Sequence, residues 1–136
     1  MPIDAVVADA NVLLSAVIGK AALRVFSLSS VAVHATRFNA DEVDEYLPHM
    51  ARKYDLPLDL ALLQWRLLPV QLHPESDYAA CLPRARRDLA RRDPDDAHPL
   101  ALARALQLPL WSNDRDLANR GVECCSTAQL LKKLSV

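Results

Sequence analysis

Carboxylates recur at four places along the chain: Asp9 with Asn11 nearby, Glu42 within Asp41-Glu42-Val43-Asp44-Glu45, the run Asp93-Pro94-Asp95-Asp96, and the pair Asp114 and Asp116. Carboxylates gathered at one point repel one another and take up protons unless a cation neutralises them. An oxygen-rich donor set with little nitrogen or sulfur selects Mg²⁺ or Mn²⁺ over Zn²⁺. Such an ion acidifies a water and offsets charge at phosphorus, which is the chemistry of metal-assisted phosphodiester hydrolysis. His34, His49, His73 and His98 lack a ligand spacing, which argues against a histidine metal site.

Each group also has a plainer reading. Asp9 either projects from a strand end into a crevice or only caps the helix that follows it. Asn11 either orients that carboxylate or serves as first-turn capping chemistry. The cluster around Glu42 reads equally as a solvated first turn that favours the helix dipole, with Glu42 as the capping-box partner of Asn39. Of Asp93, Asp95 and Asp96, at least one can be a cap. Asp114 and Asp116 follow an apolar, central-looking strand, where acids cost more to tolerate than on an open helix face.

The elements that must position these groups alternate. Ile3 to Ala8 reads as a strand ending at Asp9, and Asn11 to Phe26 as one helix. Val31 to Ala35 is a second strand. Asn39 is the expected N-cap of a helix that runs to about Lys53, with Pro48 a kink or break. Pro57-Leu58-Asp59 opens a helix through Leu62, Leu63 and Leu67, and Pro69 to Pro74 is a strand bounded by prolines. Tyr78 to Arg91 is a further helix, Asp93 to Asp96 a turn, and Asp96 the start of a helix through Leu100, Ala103, Ala105 and Leu106. Leu108 to Trp111 is a buried strand, residues 112–116 a loop, Val122 to Cys125 an edge strand, and Thr127 to Leu134 the closing helix. This alternation predicts an α/β fold with a central parallel sheet and helices on both faces. In such sheets the crevice lies outside the carboxyl ends of the strands, where Asp9 and Asp114 fall.

The chain has 136 residues, 51% hydrophobic and 24% charged, which predicts one globular domain over residues 1–136. Sixteen Lys and Arg against 17 Asp and Glu give a net charge of −1, which excludes a uniformly basic binder of nucleic acid or membrane. A local basic patch remains, in Arg84, Arg86, Arg87, Arg91 and Arg92, read either as a contact for a phosphate backbone or as a solvated helix face. Two glycines cannot build a Gly-rich phosphate cradle. Three cysteines, Cys81, Cys124 and Cys125, leave one unpaired under any disulfide scheme, so a reducing cytoplasm is the expected location. The stretch from Ala5 to Leu23, broken by Asp9, Asn11 and Lys20, reads as neither signal peptide nor membrane span. Trp65 and Trp111 sit in apolar patterns and are expected in core or interface. His98 is expected at the surface, and Cys124-Cys125 in strand packing.

In this order the motifs resemble the PIN-domain ribonucleases, whose best-known members are the toxins of VapBC-type toxin–antitoxin pairs. Asp9-Ala10-Asn11 resembles the opening motif, with Ser15 where a small hydroxyl residue often follows. Glu42 matches the helix-borne second acid, with Asp41 and Glu45 one register shift away. Asp93-Pro94-Asp95-Asp96 followed by Leu100-Ala101-Leu102-Ala103 is similar to the third motif, with Asp96 its acid and Asp93 the runner-up. Trp111-Ser112-Asn113-Asp114-Arg115-Asp116-Leu117 resembles the fourth, with Asp114 its acid, Asp116 an accessory, and Ser112 where Thr is common. The resemblance spans Ile3 to about Leu134, and its specificity lies in the third and fourth motifs. It implies a three-layer α/β/α sandwich and Mg²⁺- or Mn²⁺-dependent RNA cleavage by Asp9, Glu42, Asp96 and Asp114. It also implies frequent homodimers and, for a toxin, a cognate antitoxin. Two rivals are a non-catalytic RNA- or protein-binding module on the same fold and a phospho-acceptor receiver domain. The receiver is disfavoured because Lys132 and Lys133 fall in the closing helix and not after a late strand.

Overall fold

In the computed structural model, which describes residues 3–28, 30–90 and 93–134, five short parallel strands form one sheet in the order β3-β2-β1-β4-β5. They are β1 (Ala5–Ala8), β2 (Ala32–Thr36), β3 (Val70–His73), β4 (Leu110–Trp111) and β5 (Cys124–Cys125). The register pairs Val6 with Val33, Val33 with Val70, Ala8 with Trp111, and Trp111 with Cys125. Among the described residues seven α-helices surround the sheet: α1 (Ala10–Val17), α2 (Ala21–Leu28), α3 (Arg37–Lys53), α4 (Leu58–Leu67), α5 (Leu82–Asp88), α6 (Ala97–Leu106) and α7 (Thr127–Leu134).

Side chains alternate across a strand, so each strand feeds two cores. Val6, Ala8, Val33, Ala35, Trp111 and Cys125 pack on one face with α1, α2, α3 and α7, while Val7 and Leu110 pack on the other with α5 and α6. The result is the expected three-layer α/β/α arrangement. Trp111 is fully buried and its indole Nε1 donates to the Thr127 hydroxyl, while half-buried Trp65 donates to Asp44 Oδ1 at 2.8 Å. All three cysteines are free thiols. No single helix among the described residues is long and apolar enough to cross a membrane.

The structure corrects several local expectations. The single helix over Asn11–Phe26 is two, because Gly19 takes a left-handed conformation (φ 81°) in the turn between α1 and α2. The N-cap of α3 is Thr36, not Asn39: the Thr36 hydroxyl accepts from the Asn39 N–H at 2.9 Å. Pro48 neither breaks nor ends α3, whose buried Val43, Leu47 and Ala51 hold it to the core on both sides of the proline. The helix expected from Tyr78 to Arg91 shrinks to a 3-10 turn at Ala79–Cys81 and α5, which ends at Asp88. The strand expected over Leu108–Trp111 pairs only at Leu110–Trp111. His98 is buried rather than surface-exposed, because the first two turns of α6, Ala97 to Ala103, are buried all round.

Candidate active site

The carboxyl ends of β1, β2 and β4 open toward the N-terminal ends of α1, α3 and α6, so residues just past the strands meet residues in the first turns of helices. Asp9 follows β1 and caps α1, its Oδ1 accepting from the Val12 N–H at 2.9 Å. It is 4% exposed, and the Ser112 hydroxyl supplies a second hydrogen bond. The two readings of Asp9 thus coexist, because the capping carboxylate also lines a cavity of about 210 Å³.

That cavity is lined by Asp9, Asn11, Glu42, Asp93, Asp95 and Asp96, together with Ala10, Asn39 and Tyr46. Glu42 is half-buried whereas Asp41 and Glu45 are exposed, so helical register singles out Glu42. Asn39 Nδ2 donates to Glu42 Oε1 at 2.6 Å, and the Thr36 hydroxyl donates to Asn39 Oδ1 at 2.7 Å. Asp93 caps the 3-10 turn Pro94–Asp96, its Oδ1 accepting from the Asp95 N–H at 3.0 Å. Asp96 projects inward from the start of α6, where it meets Asp114.

Asp114 and Asp116 lie past β4 on a 3-10 turn (Arg115–Leu117) that Asp114 caps: its Oδ1 accepts from the Asp116 N–H at 2.9 Å. The Ser112 hydroxyl accepts from the Asp114 N–H at 3.0 Å, so Ser112 bridges Asp9 and Asp114. Asp114 is hydrogen-bonded to Asp96 and stands just outside the cavity lining; Asp116 is half-buried and does not line it. Ser15, one turn beyond Asn11 on α1, does not line it either.

Burial, with mutual repulsion added to it, raises three carboxyls of this group. Burial, reinforced by the charges of Asp114, Asp93 and Asp9 and by the Asp114 hydrogen bond, pushes the Asp96 carboxyl up to about 7. Burial likewise pushes Glu42 up to about 7; Asn39 opposes the shift, while the hydrogen bond and charge of Asp95 and the charge of Asp93 add to it. Asp9 is raised by burial, against hydrogen bonds from Ser112 and Val12 that favour the anion. The two carboxyls raised to about 7 thus each have a close acidic neighbour, Asp114 for Asp96 and Asp95 for Glu42. Among the described residues no three His, Cys, Asp or Glu side chains are drawn together tightly enough to enclose an ion as they stand. The donor set fits a hard divalent cation: it is all oxygen, and positive charge would offset the burial and the mutual repulsion that together raise two of its members to about 7.

The basic run divides. Arg84, Arg86 and Arg87 are exposed on α5, and Arg91 and Arg92 lie outside the described residues. Successive residues turn by about 100°, so the run does not share one face: Arg84 lines a separate cleft with Asp88, Arg104 and Arg120, whereas Arg86 acts electrostatically on Tyr78 and His98. Buried His98 has its Nδ1 2.7 Å from the Tyr78 hydroxyl and stacks on Phe38 with ring centroids 3.8 Å apart. Sequence reasoning missed Tyr46 in the lining, Thr36 behind Asn39, and Arg120 behind the Asp116 turn. Only Tyr46 leaves a signal in the sequence, one helical turn past Glu42.

A family model described as PIN domain matches residues 7–135. A solved structure described as a toxin-antitoxin complex from Klebsiella pneumoniae superposes with a TM-score of 0.67, covering 90% of this chain and 97% of that one at 18% identity. No curated protein matches the chain in sequence.

Proposed function

The chain belongs to the PIN domain family, and from that premise we propose that it is a divalent-metal-dependent endoribonuclease acting as the toxin of a toxin–antitoxin pair. The observation that carries this reading is the convergence on one cavity of Asp9, Glu42 and Asp96, from the ends or starts of three different elements, with Asp114 hydrogen-bonded to Asp96. Asp9, Glu42, Asp96 and Asp114 hold Mg²⁺ or Mn²⁺, with Asp93 in the cavity lining and Asp116 on the turn that Asp114 caps as further oxygen donors. Asp96, rather than Asp93, is the principal third acid, since Asp96 is half-buried against Asp114 and Asp9 whereas Asp93 is exposed. The ion supplies positive charge against the phosphate and acidity to a water.

The chain's own residues set the rest. Ser112 holds Asp9 and the Asp114 backbone in one frame, and Asn39 fixes the Glu42 carboxylate. Asn11, exposed at the cavity mouth, is placed to orient a ligand or water, with Ser15 an accessory beneath it. Hydrolysis then proceeds with water oxygen bonding to phosphorus as a phosphorus–oxygen ester bond breaks, and the leaving oxygen takes up a proton. The basic run Arg84, Arg86, Arg87, Arg91 and Arg92 supplies cations for the RNA backbone, which the acidic cavity alone would repel. A cognate antitoxin, a homodimeric state and a cytoplasmic location complete the proposal, the first supported by the toxin-antitoxin neighbour.

The test is cleavage of RNA with Mg²⁺ or Mn²⁺. Asp9→Asn and Asp114→Asn are expected to abolish it while the circular dichroism spectrum is unchanged, and EDTA to abolish it in the native protein. Full activity in both variants, or in EDTA, overturns the reading. A binding-only module is distinguished by calorimetry, in which no millimolar or tighter Mg²⁺ or Mn²⁺ site is found.

A further inference from the structure

Phe38, Glu42 and Tyr46 follow one another at four-residue spacing along α3, so they share one face of the helix. Glu42 and Tyr46 line the acid cavity, and Phe38, which does not line it, stands one helical turn before Glu42 and next to the lining residue Asn39. Both rings are large apolar groups left in solvent, Phe38 37% and Tyr46 49% exposed. Phe38 is held rather than loose: it lies nearly parallel, at 6°, on the buried His98 ring, and Tyr78 meets His98 edge-on while its hydroxyl bonds to Nδ1. A rigid ring backed by a second ring and open to solvent is a pre-organised stacking surface.

From this arrangement, and resting on the nuclease reading above, we infer that Phe38 and Tyr46 are stacking platforms for two unpaired nucleobases that flank the phosphodiester held at Glu42. Along the helix axis, eight residues separate the two rings by about 12 Å. Bases stacked within a duplex repeat at roughly 3.4 Å and cannot occupy both rings around one phosphate, whereas bases splayed from a single strand can. The exposed Arg86 acts on the neighbouring His98 and brings a cation to the Phe38 end. A protein partner suits this face poorly, because Glu42 and the cavity acids interrupt it. The broad apolar surface lies instead on α4, where Leu60, Leu63 and Leu67 are 52–69% exposed.

The test is a fluorescence titration of a single-stranded RNA oligonucleotide carrying 2-aminopurine, whose emission is quenched on stacking, into the Asp114→Asn protein with Mg²⁺. Adding Phe38→Ala or Tyr46→Ala is expected to weaken binding about 5- to 100-fold each and to remove part of the quenching. Phe38→Leu keeps an apolar contact with His98 but no π-face, and behaves like Phe38→Ala; Phe38→Trp and Tyr46→Phe bind like the parent. With Asp114 intact, the ring-deleted variants raise KM for single-stranded RNA and leave kcat nearly unchanged. Parental affinity and quenching in Phe38→Leu and Tyr46→Ala overturn the inference, as does equal binding of the fully paired duplex. So does a change confined to molecular mass by light scattering, which would make this face a protein contact. Because the titration needs no cleavage, an absence of RNA cleavage with Mg²⁺ or Mn²⁺ would remove the nuclease reading and leave the stacking result to stand or fall separately.

Discussion

Asn39 Nδ2 lies 2.6 Å from Glu42 Oε1, and Asn39 Oδ1 in turn accepts from the Thr36 hydroxyl that caps the same helix. One buried amide thus joins the end of β2 to the candidate metal-binding carboxylate. Asn39→Ala removes two side-chain hydrogen bonds, one to the buried Thr36 hydroxyl and one to Glu42, so it should cost about 1–3 kcal/mol in urea unfolding. It should also weaken Mn²⁺ binding by calorimetry, because Glu42 loses its orienting donor. Thr36→Ser keeps the cap and should stay near the parent in both measurements. An Asn39→Ala protein with parental stability and Mn²⁺ affinity would refute this role.

Protonation of the acid group predicts an unusual pH dependence for the metal-free protein. Glu42 and Asp96 are pushed from ordinary values of 4.5 and 3.8 up to about 7, and Asp9 is raised as well. The folded state therefore binds more protons than the unfolded state between roughly pH 4 and 7, and their contribution to stability falls as pH rises through that window. His34 and His98, lowered by burial, contribute in the opposite sense. Comparison with Asp96→Asn isolates the carboxylate: in EDTA the variant should match the parent near pH 4 and exceed it in Tm near pH 8. Saturating Mn²⁺ should reverse the order at pH 8, because the ion stabilises the parent. Parallel Tm curves at every pH would contradict the shift.

How far the sequence reaches can be seen element by element. The β-branched run ending at Asp9 and the closing helix from Thr127 were legible because each carries one clean period with nothing competing. The acids past β1 and β4 followed from the rule that crevices open at strand ends. The start of α3 was not legible, since Thr36 and Asn39 are both good caps and only the strand end decides between them. Gly19 splits a continuous apolar pattern by a backbone angle that periodicity does not register. Burial of His98 depends on Tyr78, 20 positions away. Phe38 and Tyr46 become meaningful only once Glu42 is placed at the cavity.

Arg120 carries the last prediction. The turn bearing Asp114 and Asp116 is only three residues of 3-10 helix, and it is followed by two left-handed residues, Asn119 (φ 62°) and Gly121 (φ 87°). Arg120 stitches this turn to the helical layer: its Nε donates to the Asp116 carbonyl at 3.0 Å and its Nη1 to the Asp88 carbonyl at 3.1 Å. Its own carbonyl accepts from Arg104 Nη2 at 2.7 Å, and the same nitrogen bonds to Asp88 Oδ2. Arg120→Met keeps the aliphatic stem and deletes both donated bonds, so it should lose about 1–3 kcal/mol of stability. It should weaken Mn²⁺ binding more than this loss alone implies, because Asp114 is then held only by Ser112 and its own cap. Arg84→Met, an exposed position on α5 in the same cleft, serves as the control and should stay within about 0.5 kcal/mol of the parent. Urea titration and calorimetry on the two variants decide the matter: equal behaviour would mean that the arginine cleft only solvates the surface, and a separation confined to Arg120 would tie the cleft to the acid site.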